Sequence, residues 1–182
     1  MENANNKKNI FITKNAVFAL FIGIGDMLAT YVFYKAGKDI TLNRQLADAI
    51  MLLTVAGIFI GVRKYREETL NGVMTYGKAL SAATFMTSVA ASLYGIFIYA
   101  LYKLIPELQE YYITSLNRLL EDAYKDSPLP NDMKAFMGSL ITPGAIAFSE
   151  AFNKFFMGFL FSLPIAGILR RKRNKADTLS HF

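Results

Sequence analysis

The sequence contains no cysteine and only one histidine, His181, close to its last residue. Without cysteine the chain can form no disulfide bond, no thiolate metal site and no redox-active thiol pair. One histidine cannot build a site by itself. The GxSxG, HExxH and Walker A patterns are also absent, as are the paired His or Asp motifs of lipid phosphatases. We therefore expect a protein that is not an enzyme and binds neither a cofactor nor a metal ion.

Apolar residues, in contrast, are abundant and lie in long blocks. The chain of 182 residues is 53 % hydrophobic and 14 % aromatic. Four apolar blocks cover residues 16–34, 46–62, 79–102 and 145–169. A helix of about 20 residues crosses the ~30 Å hydrocarbon core of a bilayer at 1.5 Å per residue. The pattern predicts an all-α polytopic membrane protein with four transmembrane helices in a single domain over residues 1–173, followed by a disordered tail over 174–182.

The first apolar block follows a polar, lysine-containing start, as the core of a signal peptide does. It is longer than a typical signal core, it contains Asp26, and no small-x-small cleavage site closes it. These features predict an uncleaved first transmembrane helix.

The longest loop lies between the third and fourth blocks. After Pro106, apolar residues recur with helical spacing on one face, and acidic residues lie mostly on the other. This pattern predicts an amphipathic helix over about 107–125, which would lie on the membrane or cap the bundle. The apolar face comprises Leu108, Tyr112, Leu116, Leu119, Leu120 and Tyr124.

Lysine and arginine are distributed unequally between the two ends of the predicted bundle. They are more numerous in the N-terminal segment, the 63–78 linker and the C-terminal tail than in the two opposite loops. The positive-inside rule therefore predicts cytoplasmic termini in a bacterial inner membrane. The net charge of +6 is explained by this flanking of apolar blocks, so we expect the lipid bilayer, and not a nucleic acid, as the partner of the basic residues.

Asp26 is the one acid near the middle of a predicted transmembrane helix. A charged side chain at that depth costs about 2.5–3.5 kcal/mol on insertion scales, so its presence needs a reason. One interpretation is a proton or cation site. The other is a buried structural aspartate that is hydrogen-bonded to a serine or threonine of the third helix.

A second polar group lies in the fourth helix, where Glu150, Asn153 and Lys154 share one face. Glu150 and Lys154 are spaced four residues apart and can neutralise each other. Asp48, near the start of the second helix, is the expected partner from another helix. The cluster either fixes the register of the helices or forms the vestibule of a substrate path.

Small residues predict where the helices pack closely. Gly57 and Gly61 form a GxxxG face in the second helix. In the third helix, small side chains recur every four residues, which lets backbones approach closely in lipid and predicts a central position in the bundle. This ridge comprises Ala79, Ala83, Thr87, Ala91 and Gly95.

Three segments resemble a known family. They are YREETLNGVMTYGKAL (65–80), ITPGAIA (141–147) and IAGILRRK (165–172). They are similar to the entry of the third helix, the proline entry of the last helix and the basic exit of a Bacteroidota inner-membrane family catalogued as domain of unknown function 4199. The resemblance covers roughly residues 10–173. Asn71-Gly72 stands where that family more often has Gly-Gly.

The resemblance implies no activity, cofactor or catalytic residue, since the family has none assigned. Genes of the family often neighbour a membrane glycosyltransferase, which implies a role beside a partner protein. The first functional hypothesis is thus a non-enzymatic subunit of a membrane complex, packing against a second copy of itself or a partner protein. The alternative is a small oligomeric transporter or channel component that uses Asp26, and a lipid-modifying enzyme ranks third.

Overall fold

The structure is a computed structural model that describes residues 2–38, 40–125 and 130–171. Within these residues the chain forms six helices, in the order α1 (Glu2–Lys35), α2 (Arg44–Thr69), α3 (Tyr76–Leu104), α4 (Pro106–Ala123), α5 (Asn131–Leu140) and α6 (Pro143–Leu169). The tail predicted to be disordered, 174–182, lies outside the described residues.

Four of these helices are long and apolar enough to cross a membrane, namely Lys8–Lys35, Arg44–Thr69, Tyr76–Leu104 and Pro143–Leu169. This confirms the prediction of an all-α membrane protein with four transmembrane helices. The helices extend beyond the predicted apolar blocks. Hydropathy marks only the part of a helix that lies in lipid, whereas flanks rich in Arg, Lys and Glu are good helix formers and continue the same hydrogen-bonded turns.

The starts of three helices are capped by polar side chains. Asn43, Thr75 and Thr142 each accept a hydrogen bond from a backbone N–H in the first turn of α2, α3 and α6. These caps satisfy N–H groups that would otherwise have no partner inside the helix. Between α2 and α3, Asn71 and Gly72 adopt φ angles of 50° and 78°, the left-handed conformation that a tight turn requires of such residues.

The transmembrane helices alternate in direction, so the bundle has two distinct ends. At the terminal end, Met74 and Arg171 exchange two backbone hydrogen bonds of 3.0 and 2.9 Å, and the Arg66 guanidinium donates to the Leu169 carbonyl oxygen at 3.2 Å. The end of α6 is thereby fixed to the α2–α3 turn. The opposite end, called the α4 end, carries α4, α5 and residues 36–38 and 40–43 between α1 and α2.

Helix α3 occupies the centre of the bundle, packed against α6 on one side and α1 on the other. Every residue of its small ridge is buried. A Cβ atom on Gly95 would lie 2.8 Å from the Ala151 Cβ of α6. Gly158 of α6, which sequence reasoning did not single out, faces Thr87 in the same way, at 2.5 Å. Close backbone contact of α3 with α6 depends on both glycines.

The GxxxG face of α2 packs mainly against α1. A Cβ on Gly57 would overlap the side chain of Ile22, and one on Gly61 would lie 3.0 Å from the Phe18 Cβ and 2.7 Å from the Met86 sulfur of α3. These contacts involve helices of the same chain.

Helix α4 begins directly after α3, where Ile105 leaves the helical conformation and Pro106 starts a new helix. Leu108 is buried, and the Tyr112 ring meets the Tyr102 ring edge-on at 6.3 Å. The Gln109 amide also donates to the Ile141 carbonyl oxygen at 2.7 Å. The first half of α4 is therefore docked on the bundle, close to the predicted position, whereas α5 was not among the predicted helices.

Candidate functional site

The centre of the bundle contains a buried ion pair between α1 and α6. Asp26 is completely buried, and its Oδ2 lies 2.5 Å from the Nζ atom of Lys154, whose side chain is 6 % exposed. Each charge alone would be costly at this depth, whereas the pair neutralises itself. The expected partner of Asp26, a serine or threonine of α3, is not the one observed.

Side chains from α2 and α3 complete this centre. Thr54 of α2 accepts a hydrogen bond from Lys154 Nζ at 2.8 Å and lies 3.4 Å from Asp26 Oδ2, to which its hydroxyl donates. The ring of Tyr94 in α3 lies with its centroid 5.2 Å from Lys154 Nζ, at cation–π distance. Each of the four transmembrane helices thus contributes one side chain to the Asp26–Lys154 centre.

A second hydrogen-bonded link fixes Tyr94. The Thr30 hydroxyl, one turn beyond Asp26, donates to the Asp26 carbonyl oxygen at 3.0 Å and lies 3.1 Å from the Tyr94 hydroxyl, which can donate to it. Tyr94 therefore presents its ring face to Lys154 while its hydroxyl is held by α1.

Asp48, the partner expected for the polar face of α6, lines the same cavity as Glu150, Asn153 and Lys154 but is paired with a residue of its own helix. Its carboxylate is 60 % exposed and 3.9 Å from Arg44, one turn away on the same helix. The reason is depth: Asp48 is only one turn from the start of α2, whereas Lys154 is about three turns from the start of α6. The structure thus brings Asp48 to the polar face of α6, as expected, but the expected ion pair between the two helices is replaced by Asp48–Arg44 and Asp26–Lys154.

Thr54 and Tyr94 were missed by sequence reasoning, although a signal for them exists. Asp26, Thr54, Tyr94 and Lys154 each lie about ten residues from the α4 end of their helix, or roughly 15 Å at 1.5 Å per residue. Counting from the helix ends would have placed all four side chains at one depth, near the membrane midplane.

The other two predicted residues of α6, Glu150 and Asn153, lie on the α4-end side of Lys154. They line two adjoining cavities of about 250 and 320 Å³. The deeper cavity runs between α2 and α6 from Asp48 past Lys154 to Phe161. The shallower one is bounded by the 40–44 segment, α3 and Leu119 of α4. Because the two cavities share wall residues, they adjoin each other, and together they are called here the α2–α6 cleft. The shared residues are Ala47, Ile50, Tyr94, Glu150 and Asn153.

The cleft ends inside the bundle. Beyond Phe161, towards the terminal end, the interior is filled by a cluster of buried apolar side chains that includes Ile58, Val62, Met86 and Ile165. Among the described residues, the polar path therefore leads from the α4 end to Lys154 and no farther. This geometry suits binding of a small molecule better than conduction through one copy of the chain.

The donor set of the cleft does not suit a metal ion. Among the described residues, no three His, Cys, Asp or Glu side chains come close enough together to hold one. The walls instead combine apolar side chains with a few charged and polar groups, which is the usual composition of a small-molecule site.

The model of a family described as "Protein of unknown function (DUF4199)" matches residues 17–171. No curated protein and no solved structure matches the chain.

Proposed function

Because the chain belongs to the DUF4199 family, whose function is unknown, and has four helices that can span a membrane, we propose a function from the site itself: a non-enzymatic subunit of a membrane assembly that binds a small polar ligand in the α2–α6 cleft. The observation that carries this proposal is the one-sided path of polar side chains from the α4 end to Lys154. A cleft that is closed towards the terminal end supports binding, and the consequence of binding would then pass to a partner.

The bonding of the central residues supports a role without catalysis. Asp26 is completely buried, is not among the residues that line the two cavities, and is bonded through Oδ2 to Lys154 and Thr54; Lys154, which lines the deeper cavity, is bonded to both. A general base must instead be free to accept a proton from a substrate. We therefore assign the Asp26–Lys154 centre to holding the floor of the cleft in place.

Single cysteines can test the cleft without background, since the chain has no native cysteine. Ala47 lines both cavities, whereas Ala49 lies at nearly the same depth on the same helix and lines neither. In proteoliposomes, Ala47→Cys should react with a charged methanethiosulfonate faster than Ala49→Cys, because a charged reagent enters a water-filled cleft and not lipid. Equal reaction of the two would remove the cleft from the proposal.

The subunit role is tested separately by purification from native membranes after mild crosslinking. We expect the chain to be recovered with a partner membrane protein or a second copy of itself. Recovery as a monomer alone, with or without crosslinking, would contradict the subunit role. It would not bear on ligand binding, which the cysteine experiment tests.

The depth of Asp26 favours a second candidate, a component of an oligomeric transporter. A paired acid and base near the midplane is a common feature of transport paths. This candidate requires the deep end of the cleft to open alternately to both sides. Val55→Cys, at that deep end, would then react from either face of a sealed vesicle, whereas a binding subunit allows reaction from one face only.

A further inference from the structure

Glu150 is the one carboxylate of the cleft whose charge has no bonded partner. Asp48 lies 3.9 Å from Arg44, and Asp26 lies 2.5 Å from Lys154. Among the residues that the structure describes, Glu150 forms neither a hydrogen bond nor an ion pair, although it is partly buried and lines both cavities. A charge withdrawn from water without a partner is unfavourable. A positive charge placed in the cleft beside Glu150 would therefore be stabilised by its carboxylate.

Lys154 attracts Glu150 electrostatically but does not bond to it. Its ammonium lies one turn farther along α6 and is directed to Asp26 and Thr54, at 2.5 and 2.8 Å. Moving it to Glu150 would leave Asp26 buried and unpaired, which is costly. The positive charge therefore has to come from outside the Asp26–Lys154 centre.

We propose that Glu150 binds the ammonium group of a small organic cation that enters the α2–α6 cleft from the α4 end. The proposal rests on the proposed binding function and names the chemical class of its ligand. Glu150 supplies the counter-charge, and Asn153 beside it supplies an amide that can accept a hydrogen bond from the ammonium.

The walls of the cleft favour an organic cation over a metal ion. Hard metal ions require six or more oxygen ligands in most sites, and the cleft offers few. Cavities of about 250 and 320 Å³ hold a small molecule, and their walls include Ile50, Ile98 and the rings of Tyr94 and Tyr102. Aromatic faces attract organic ammonium groups. An ammonium with a short apolar body therefore matches both the charge and the surface of the cleft.

The charge at Glu150 can be measured with paired thiol reagents at Ala47→Cys. The probes are 2-aminoethyl methanethiosulfonate, a primary ammonium, and 2-sulfonatoethyl methanethiosulfonate, an anion. We expect the ammonium reagent to react faster, and the ratio of the two rates to fall by about tenfold or more when Glu150→Gln is added, because one nearby charge is removed. Glu110→Gln, an exposed acid of α4, is the matched control and should leave the ratio unchanged.

Binding is then tested by protection. Ethanolamine and tetramethylammonium, but not equal concentrations of sodium chloride, should slow the labelling of Ala47→Cys, and Glu150→Gln should abolish that protection. The same labelling in nanodiscs distinguishes a lipid ligand from a soluble one. If Ala47→Cys is protected without added amine in phosphatidylethanolamine and not in phosphatidylglycerol, the ligand is a lipid head group. If added amine protects Ala47→Cys in both lipids, the ligand is soluble.

A labelled Ala47→Cys with no protection by any amine would overturn the cation assignment while leaving the cleft intact. Protection that survives Glu150→Gln would overturn the role of Glu150. An unlabelled Ala47→Cys would instead contradict the cleft and the proposed function together, so the failures are distinguishable.

Discussion

At the scale of single residues, the sequence identifies the buried charges but not their pairing. Asp26 and Lys154 both stand out because acids and bases are rare in apolar segments. Their pairing depends on two quantities that composition does not give: the depth of each residue and the side of each helix that faces the other. Depth is recoverable by counting from the helix ends, as the common distance of roughly 15 Å indicates. The side of each helix that faces its partner cannot be found by counting, because it is set by packing over the whole helix.

The Asp26–Lys154 pair gives a prediction about stability. Asp26→Asn or Lys154→Met alone should lower the free energy of unfolding by about 3–5 kcal/mol, because each leaves one buried charge uncompensated. The double variant should lose less than the sum of the single losses. Unfolding in mixed micelles with increasing sodium dodecyl sulfate, followed by circular dichroism, measures all three.

Asp48→Asn is the matched control for this cycle. Its carboxylate is exposed, and its pairing with Arg44 at 3.9 Å is of the surface type, which contributes about 0–1 kcal/mol. Additive losses in the Asp26 and Lys154 variants would mean that the two side chains are not energetically coupled.

At the scale of elements, periodic patterns predict packing and isolated residues do not. The small ridge of α3 repeats every four residues, and this repeat alone is enough to indicate a packing face. Gly158 begins a short repeat of the same kind with Ser162 and Ala166, and all three are buried, whereas Gly167 has the large Leu163 four residues before it. In the structure, Gly158 faces Thr87 of α3, whereas a Cβ on Gly167 would meet nothing within 4 Å.

This difference gives a matched pair of substitutions in one helix. Gly158→Ala should destabilise the bundle by about 1–3 kcal/mol, because the new methyl group overlaps Thr87 and forces α3 and α6 apart. Gly167→Ala should be neutral or slightly stabilising, since alanine favours helix over glycine by up to about 1 kcal/mol. Thermal unfolding in detergent compares the two, and similar loss from both would contradict the close α3–α6 contact.

Helix α4 illustrates how far an amphipathic pattern can be interpreted. The apolar face of the predicted helix does not pack along its whole length: Leu108 is buried and Tyr112 contacts Tyr102, whereas Leu119 and Tyr124 are about half exposed. Periodicity defines a face but not what covers it. Leu119 lies beside the shallower cavity, so the second half of α4 borders the entrance of the cleft.

At the scale of the whole molecule, hydropathy predicts the number of transmembrane helices but not the cleft between two of them. The count depends on the length of apolar blocks, a local property that lipid thickness imposes. The α2–α6 cleft exists because α3 packs closely with α1 and α6 through small residues, leaving α2 and α6 apart near Glu150. A sequence pattern within one helix does not show how closely that helix packs against each of the other three, so it cannot predict the cleft.

The orientation of the molecule in the membrane is predicted from the charges at its two ends. The unequal distribution of lysine and arginine predicts that the terminal end faces the cytoplasm, so the cleft would open to the outside. Ser139, exposed in α5, and Gly77, where a Cβ meets nothing within 4 Å, mark the two ends. Ser139→Cys should react with an impermeant maleimide in cells with a permeabilised outer membrane, and Gly77→Cys should react only after the inner membrane is disrupted. The reverse result would turn the cleft towards the cytoplasm, and any cation it binds would then be an intracellular one.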